Sequence, residues 1–591
     1  MSVSRYKNHF SKQNLFKALW FLCIIHFLSA QNLTQNVDVY TMSSTQGFKI
    51  ASSLGPTGNS MGMYFGISAK KAGDVNGDGK GDVIIGAVGD NNGLGVVYVV
   101  YGSDALFSDI DTNATSFSPT QGFKIYDSNA ALNNYLGISA SFAGDVNGDG
   151  IDDIIIGAPN KNGSQGVAYV VYGNYTLTDV DLSSPSFNPL QGFTITHTSK
   201  ITPQVGISVN YAGDVNGDGV DDVIVGAISE DSARGSAYVI FGNKTPILNI
   251  DLGDSNFSPG KGFRIWNSTG VYGEQFGNIV NYAGDLNGDN VDDIIIGAIG
   301  TNNINGAAYV VYGRKTGIID VDVSSVSFYP AQGFLIWNSG GQYSDQLGYA
   351  VCGLGDINGD NIDDIAIGAI GENGMKGAVY IIYGKGSNMA NVDLELGNFA
   401  LDQGFKIHNS TVTTDLKVFG YSVNNAGDIN GDNVNDIIIG AYAEESLKGA
   451  SYVILGRKNS RSDDLDLGSG DFDLTQGYKL TNSDPMGMFF GVSVCSAGDV
   501  NGDNMTDLII GAAGSYDYKG SVYIVYGVNL TCSNGCQHCT NSTSCQICIS
   551  GFELTGSQCI EPEPEPEPEP KPEPELEPEP VEREHIQSKT I

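Results

Sequence analysis

Seven times along the chain, nine residues follow the pattern Asp-x-Asn-Gly-Asp-[Gly/Asn]-x-x-Asp, opening at Asp74, Asp145, Asp214, Asp285, Asp356, Asp428 and Asp499. Successive openings lie 71, 69, 71, 71, 72 and 71 residues apart. A period this constant means one supersecondary unit copied seven times, and in a chain of 591 residues it outranks length as a guide to domain count.

Each copy carries four apolar segments separated by turn residues. In the second they are Tyr135 to Ser139 and onward, Asp153 to Ile156, Val167 to Tyr172, and Gly192 to Ile195 after a longer connection. Short β-branched and aromatic runs bounded by Gly, Asn and Asp read as strands. The Ile-Ile-Ile segment is apolar on both sides, so both faces of that strand are expected to be buried, as between stacked sheets. Four strands in seven copies predict an all-β, seven-bladed β-propeller with four-stranded blades. The Gly-Phe fourth strand occurs at Phe48 before any first strand, and the seventh copy stops after its third. Gly47 to Ile50 is therefore expected to close the last blade, removing an open sheet edge. A Gly-Ala pair ends each second strand, as at Gly157-Ala158, where small side chains would let blades approach closely.

The nine-residue loops offer oxygen ligands at positions 1, 3, 5, 7 and 9. The first set is Asp74, Asn76, Asp78, Lys80 and Asp82, with position 7 acting through its carbonyl. The others are Asp145, Asn147, Asp149, Ile151 and Asp153; Asp214, Asn216, Asp218, Val220 and Asp222; Asp285, Asn287, Asp289, Val291 and Asp293; Asp356, Asn358, Asp360, Ile362 and Asp364; Asp428, Asn430, Asp432, Val434 and Asp436; and Asp499, Asn501, Asp503, Met505 and Asp507. This is the head of an EF-hand-like calcium loop whose closing carboxylate sits at position 9, because position 12 of the first loop is Ile85. Hard oxygens without Cys or His favour Ca2+ over zinc, and crowded carboxylates favour it over Mg2+. Up to seven Ca2+ ions are expected, in a structural role. Position 4 is always Gly and position 6 is Gly or Asn, the residues that best tolerate a left-handed backbone.

Three carboxylates in each of seven loops supply 21 of the 67 acidic residues behind the net charge of −37. No basic stripe exists to meet phosphate, so nucleic acid is excluded as a partner. Residues 1–30 read as a signal peptide: Arg5, Lys7, Lys12 and Lys17 precede an apolar run from Ala18 to Leu28, and Ser29-Ala30 follows. Export implies a secreted or surface-associated glycoprotein, and no transmembrane segment is expected once the signal is removed. The propeller is assigned to 31–528, a Cys-rich module to 529–560, and a Glu-Pro-rich extended, disordered tail to 561–591. Cys532, Cys536, Cys539, Cys545, Cys548 and Cys559 are expected to form three disulfides of undetermined pairing, and Cys352 and Cys495 to be free core thiols.

Phe65-Gly66, Phe276-Gly277, Phe419-Gly420 and Phe490-Gly491, each followed by the Asp-rich loop and a Gly-Ala segment (Gly157-Ala-Pro in full), resemble FG-GAP repeats. Such repeats build the propeller head of integrin α-subunits. The resemblance implies calcium in the loops joining first and second strands and ligand recognition on the opposite face. Leu136-Gly137, Val205-Gly206 and Leu347-Gly348 depart from the motif at its first residue. The resemblance alone does not assure an integrin-type heterodimer.

On the face away from the metal loops, Trp266, Tyr272, Trp337 and Tyr343 are candidate ligand-binding residues, suited to stacking on a sugar or anchoring a peptide. Sequons at Asn162, Asn267 and Asn409 fall on the same face and are expected to mask part of it. The functional reading is a non-enzymatic extracellular protein of cell adhesion or ligand binding, with a protein or glycan partner. A secreted lectin is the alternative, and a propeller hydrolase or lyase a more distant one.

Overall fold

The computed structural model describes residues 36–53 and 64–527, apart from 106, 131–132, 342–343, 396, 398, 412–415, 462, 470–471, 515–518 and the side chains of 92, 302 and 303, together with backbone strands between 536 and 560. Two compact units result, 1–531 and 532–591. The signal segment, the tail and the side chains of the six clustered cysteines lie outside the described residues. In the second unit, Cys536–Asn541 pairs antiparallel with Ser544–Cys548, and Glu553–Thr555 with Gln558–Ile560.

The first unit is a seven-bladed propeller. In the second blade, Ala140–Gly144, Asp153–Ala158, Val167–Val171 and Gly192–Thr196 form an antiparallel sheet. All seven second strands are buried along their whole length, as the unbroken apolar runs require. Innermost strands of neighbouring blades pack together around the ring, with Phe65–Gly73 of the first against Phe490–Gly498 of the seventh. The expected clasp is present: Gly47–Ala51 pairs with Ser521–Val525, Gly47 opposite Val525.

Each blade also carries a fifth outer strand that the four-strand expectation omits. Ile110–Asp111, Val180–Asp181, Ile250–Asp251, Val321–Asp322, Val392–Asp393 and Leu465–Asp466 leave the connection between the third and fourth strands of one blade. Each joins the fourth strand of the preceding blade in parallel. For the sixth blade the N-terminal Asn36–Asp38 takes that place. The chain start thus sews together the sixth and seventh blades.

The glycines explain how blades meet. A Cβ on Gly157, in a second strand, would stand 1.9 Å from the carbonyl oxygen of Gly206 in the next first strand; Gly86 meets Gly137 in the same way, and Gly511 meets Gly66 across the closure at 2.1 Å. The Gly of each Phe-Gly pair therefore lies on the Gly of the preceding Gly-Ala pair. This contact needs no Phe, so Leu136 and Val205 serve there equally, buried like Phe65.

Candidate metal centre and opposite face

The first loop winds around its own side chains. Asp74 Oδ1 accepts the N–H of Asp78 at 2.9 Å, Asp74 Oδ2 that of Gly79 at 2.7 Å, and Asp78 Oδ1 that of Lys80 at 3.0 Å. The winding needs left-handed residues at positions 4 and 6, and Gly77 (φ 71°), Gly79 (φ 86°) and Asn290 (φ 60°) supply them. The same bonds recur in the fourth loop, on Asp285 and Asp289.

Position 9 is the deepest group. Asp82, Asp153, Asp222, Asp293, Asp364, Asp436 and Asp507 have no exposed surface. Asp82 Oδ2 accepts the N–H of Val75 and Oδ1 that of Gly102, at 3.0 and 2.9 Å, and the other six copies repeat both bonds. This carboxylate ties its loop to the end of the third strand. Burial pushes Asp82 and Asp364 up to about 8 and Asp507 to about 7, against the pull of those N–H groups and with a push from the other loop carboxylates. The remaining four are raised well above the ordinary range for the same reason.

Position 8, which the sequence pattern leaves unassigned, reaches across blades. Asp152 Oδ2 accepts the N–H of Asp74 at 2.7 Å, and Asp221, Asp292 and Asp363 do likewise for Asp145, Asp214 and Asp285. A Cβ on Gly73 would lie 2.4 Å from the Asp152 carboxylate, and Gly144, Gly213 and Gly284 stand as close to theirs, so glycine before these four loops is a steric requirement of the staple.

The donor set suits a hard cation: oxygen only, with a buried carboxylate whose charged form is disfavoured unless a positive charge sits nearby. Among the described residues, no three Asp, Glu, His or Cys side chains already converge as a metal cluster. The carboxylates at positions 1 and 9 hold backbone N–H groups and would ligate through their remaining lone pairs.

The opposite face carries a second sevenfold aspartate, missed from sequence although an apolar-Asp dipeptide recurs in every copy. It ends each fifth strand and accepts the N–H just beyond the neighbouring fourth strand: Asp111 from Ser53, Asp181 from Ser128, Asp251 from Thr198, Asp322 from Ser268, Asp393 from Ser339, Asp466 from Ser410 and Asp38 from Ser483. Partial burial alone would raise Asp181, but bonds from Ser128 and Ser183 outweigh it and lower its pKa to about 2. Asp111, Asp251, Asp322 and Asp466 are lowered by the same balance.

Trp266 and Trp337 end the fourth strands Gly262–Trp266 and Gly333–Trp337 and are half-buried. The Arg264 guanidinium lies 5.0 Å from the Trp266 ring centre. Tyr272 is 84% exposed, which makes it the openly available aromatic of the candidates, while Tyr343 lies outside the described residues. Asn162 is exposed, but Asn267 donates to Glu274 Oε1 at 2.8 Å and Asn409 is buried, so two of the three sequons on this face turn inward. Cys352 and Cys495 are buried free thiols, as expected.

Comparison with known proteins agrees with this geometry. The FG-GAP repeat family model matches residues 136–171, 347–382, 419–454 and 490–525. Two of these begin at Leu136 and Leu347, so a match does not require the aromatic ring. Four segments of the chain thus match FG-GAP repeats. Its ring is similar to integrin α-subunits: 30% identical over 296 residues to integrin alpha pat-2 of Caenorhabditis elegans, covering 47% of this chain and 21% of that one. It is 29% identical over 179 residues to integrin alpha-4 of Xenopus laevis, covering 29% and 15%, and 26% over 234 residues to human integrin alpha-11, covering 39% and 17%. The chain thus spans about a fifth or less of the length of these relatives.

Proposed function

We propose that this is a secreted or cell-surface calcium-binding protein that mediates adhesion or extracellular ligand binding through the propeller face opposite the metal loops. The observation that carries the reading is the sevenfold loop with its buried position-9 carboxylate, set in a ring similar to integrin α-subunits. Residues at positions 1, 3, 5 and 9 and the carbonyl at position 7 would hold calcium. The ion would supply the positive charge that lets these carboxylates pack while ionised. The loops then fix the lower rim, and connections on the other face, including exposed Tyr272, are free to vary as recognition loops. Support for an extracellular setting comes from the integrin relatives and the N-terminal signal pattern. No helix among the described residues is long and apolar enough to cross a membrane.

The test is capture from intact cell surfaces by the secreted protein, in calcium and in EDTA. Calcium-dependent capture that weakens in Tyr272→Ala is expected. Capture indifferent to calcium, or none, would overturn the reading. Glycan-array binding without protein capture would favour the lectin alternative.

A further inference from the structure

The seven first strands enclose an axial cavity of about 390 Å3, lined by the early part of each strand and by residues such as Ile228 and Ile299 that follow the second strands. It therefore opens on the face away from the metal loops. One repeat position of the first strands is Lys70 in the first blade and Ser141, Asn210, Asn281, Cys352, Asn424 and Cys495 in the others; of these, Lys70, Asn281 and Asn424 line the cavity.

The neutral members have partners. Ser141 donates to Asn210 Oδ1 at 2.7 Å, and Asn281 Nδ2 to the Val351 carbonyl at 2.9 Å. Lys70 lines the cavity, and among the described residues no carboxylate acts on it; the groups that reach it are Cys495 and Cys352. Burial raises the Cys352 pKa, so that group stays a thiol and supplies no charge. Among the described residues, Lys49, Lys161, Lys406 and Lys479 each meet an aspartate or glutamate, and buried Lys417 bonds to the Thr411 hydroxyl instead. Desolvating an ammonium without a counter-charge is costly, and burial lowers the Lys70 pKa accordingly.

The mouth of the cavity adds selectivity. Tyr349 and Tyr421 lie 5.0 Å apart at one side, and Tyr421 meets Tyr442 at 4.4 Å. Ile67, Ile138 and Ile207 line the other side. An apolar collar above a single cation fits a group with a hydrocarbon stem and an anionic head.

We propose that the axial cavity binds a carboxylate, with Lys70 as its counter-ion and the tyrosine-isoleucine collar around its stem. The source is a free carboxylate anion or an acidic side chain of a protein ligand. The site rests on ring closure and on Lys70, and needs neither Tyr272 nor a cell surface, so its failure leaves the adhesion reading standing.

Calorimetric titration of the secreted protein, in calcium, with acetyl-Gly-Glu-Gly-amide, its Gln counterpart and sodium acetate tests this. Saturable binding of the Glu peptide is expected, at least tenfold weaker for the Gln peptide and for Lys70→Gln, and retained in Lys70→Arg. Acetate binding as tightly as the peptide identifies a free anion; a peptide at least tenfold tighter identifies a side chain. Should Lys70→Gln fail to be secreted, tyrosine fluorescence of the parent decides, changing with the Glu peptide and not the Gln peptide. The proposal is overturned if neither acetate nor the Glu peptide binds, or if binding ignores the Glu-to-Gln change.

Discussion

The ring holds two sets of seven repeated aspartates, one at each face, and they are treated oppositely. At position 9 of the loops, Asp82 and its copies are wholly buried among other carboxylates, and burial raises their pKa values. At the end of each fifth strand, Asp181 and its relatives stay near water and collect serine hydroxyls and N–H groups, which lower theirs. The same residue type serves as a buried anchor with a disfavoured charge on one face and as a self-sufficient clamp on the other. The difference teaches that calcium dependence should belong to one face only, leaving the other free for recognition.

The largest effect expected is chelation. Excess EDTA should lower the melting temperature by about 10 °C or more, since ions bound only to the folded ring stabilise it by mass action. An unchanged calorimetric trace would erase the contrast. Next comes Gly157→Val, whose side chain would enter the space of the Gly206 carbonyl. It should cost about 3 kcal/mol or more in urea unfolding, whereas Gly150→Ala, with open space but φ of 90°, should cost about 1–2 kcal/mol.

Asp222→Asn should be the sharpest probe of the loop face. In calcium it should remove one bound ion by elemental analysis and destabilise the ring. In EDTA at pH 8 the loss should be smaller than in calcium, because the substitution removes a buried charge while leaving one backbone N–H facing the new amide. The pH dependence has the matching sign. Position-9 carboxyls have folded pKa values above their unfolded value, near 4, so the calcium-free ring binds extra protons and loses stability as pH rises from about 4 to about 8. The opposite-face aspartates have depressed values, so their contribution is present above about pH 4 and lost as pH falls toward 2. Calcium-free melting temperatures should therefore peak near pH 5, and calcium should flatten the fall above it. The smallest effect is Tyr272→Ala, expected to shift unfolding by no more than about 0.5 kcal/mol while weakening ligand capture.

Much of this was legible beforehand because the repeat supplies seven readings of each signal. The blade number, the second-strand burial and the Gly47–Ala51 clasp follow from period and phase. The left-handed positions 4 and 6 follow from glycine and asparagine usage. The fifth strands were not legible, because two residues such as Val180-Asp181 carry no alternation, and their partner is a neighbouring blade. The position-8 staple escaped for a related reason: Asp152 looks like one more loop carboxylate until the adjacent blade places the Asp74 N–H against it. Likewise, nothing local distinguishes Lys70 from Lys71, yet the ring puts Lys70 in the axial cavity and Lys71 over the Phe142 ring, 4.6 Å from its centre.

Local chemistry by itself determined the unit: strands from apolar runs, loops from Asp, Asn and Gly, and the number of times both recur. Only closure of the ring decided which aspartates staple one blade to the next, which glycines become indispensable and where the Lys70 ammonium ends up. Those outcomes depend on groups about 70 residues or more apart in the chain meeting across a blade interface, as Asp74 and Asp152 do, and such meetings leave no trace in a local pattern.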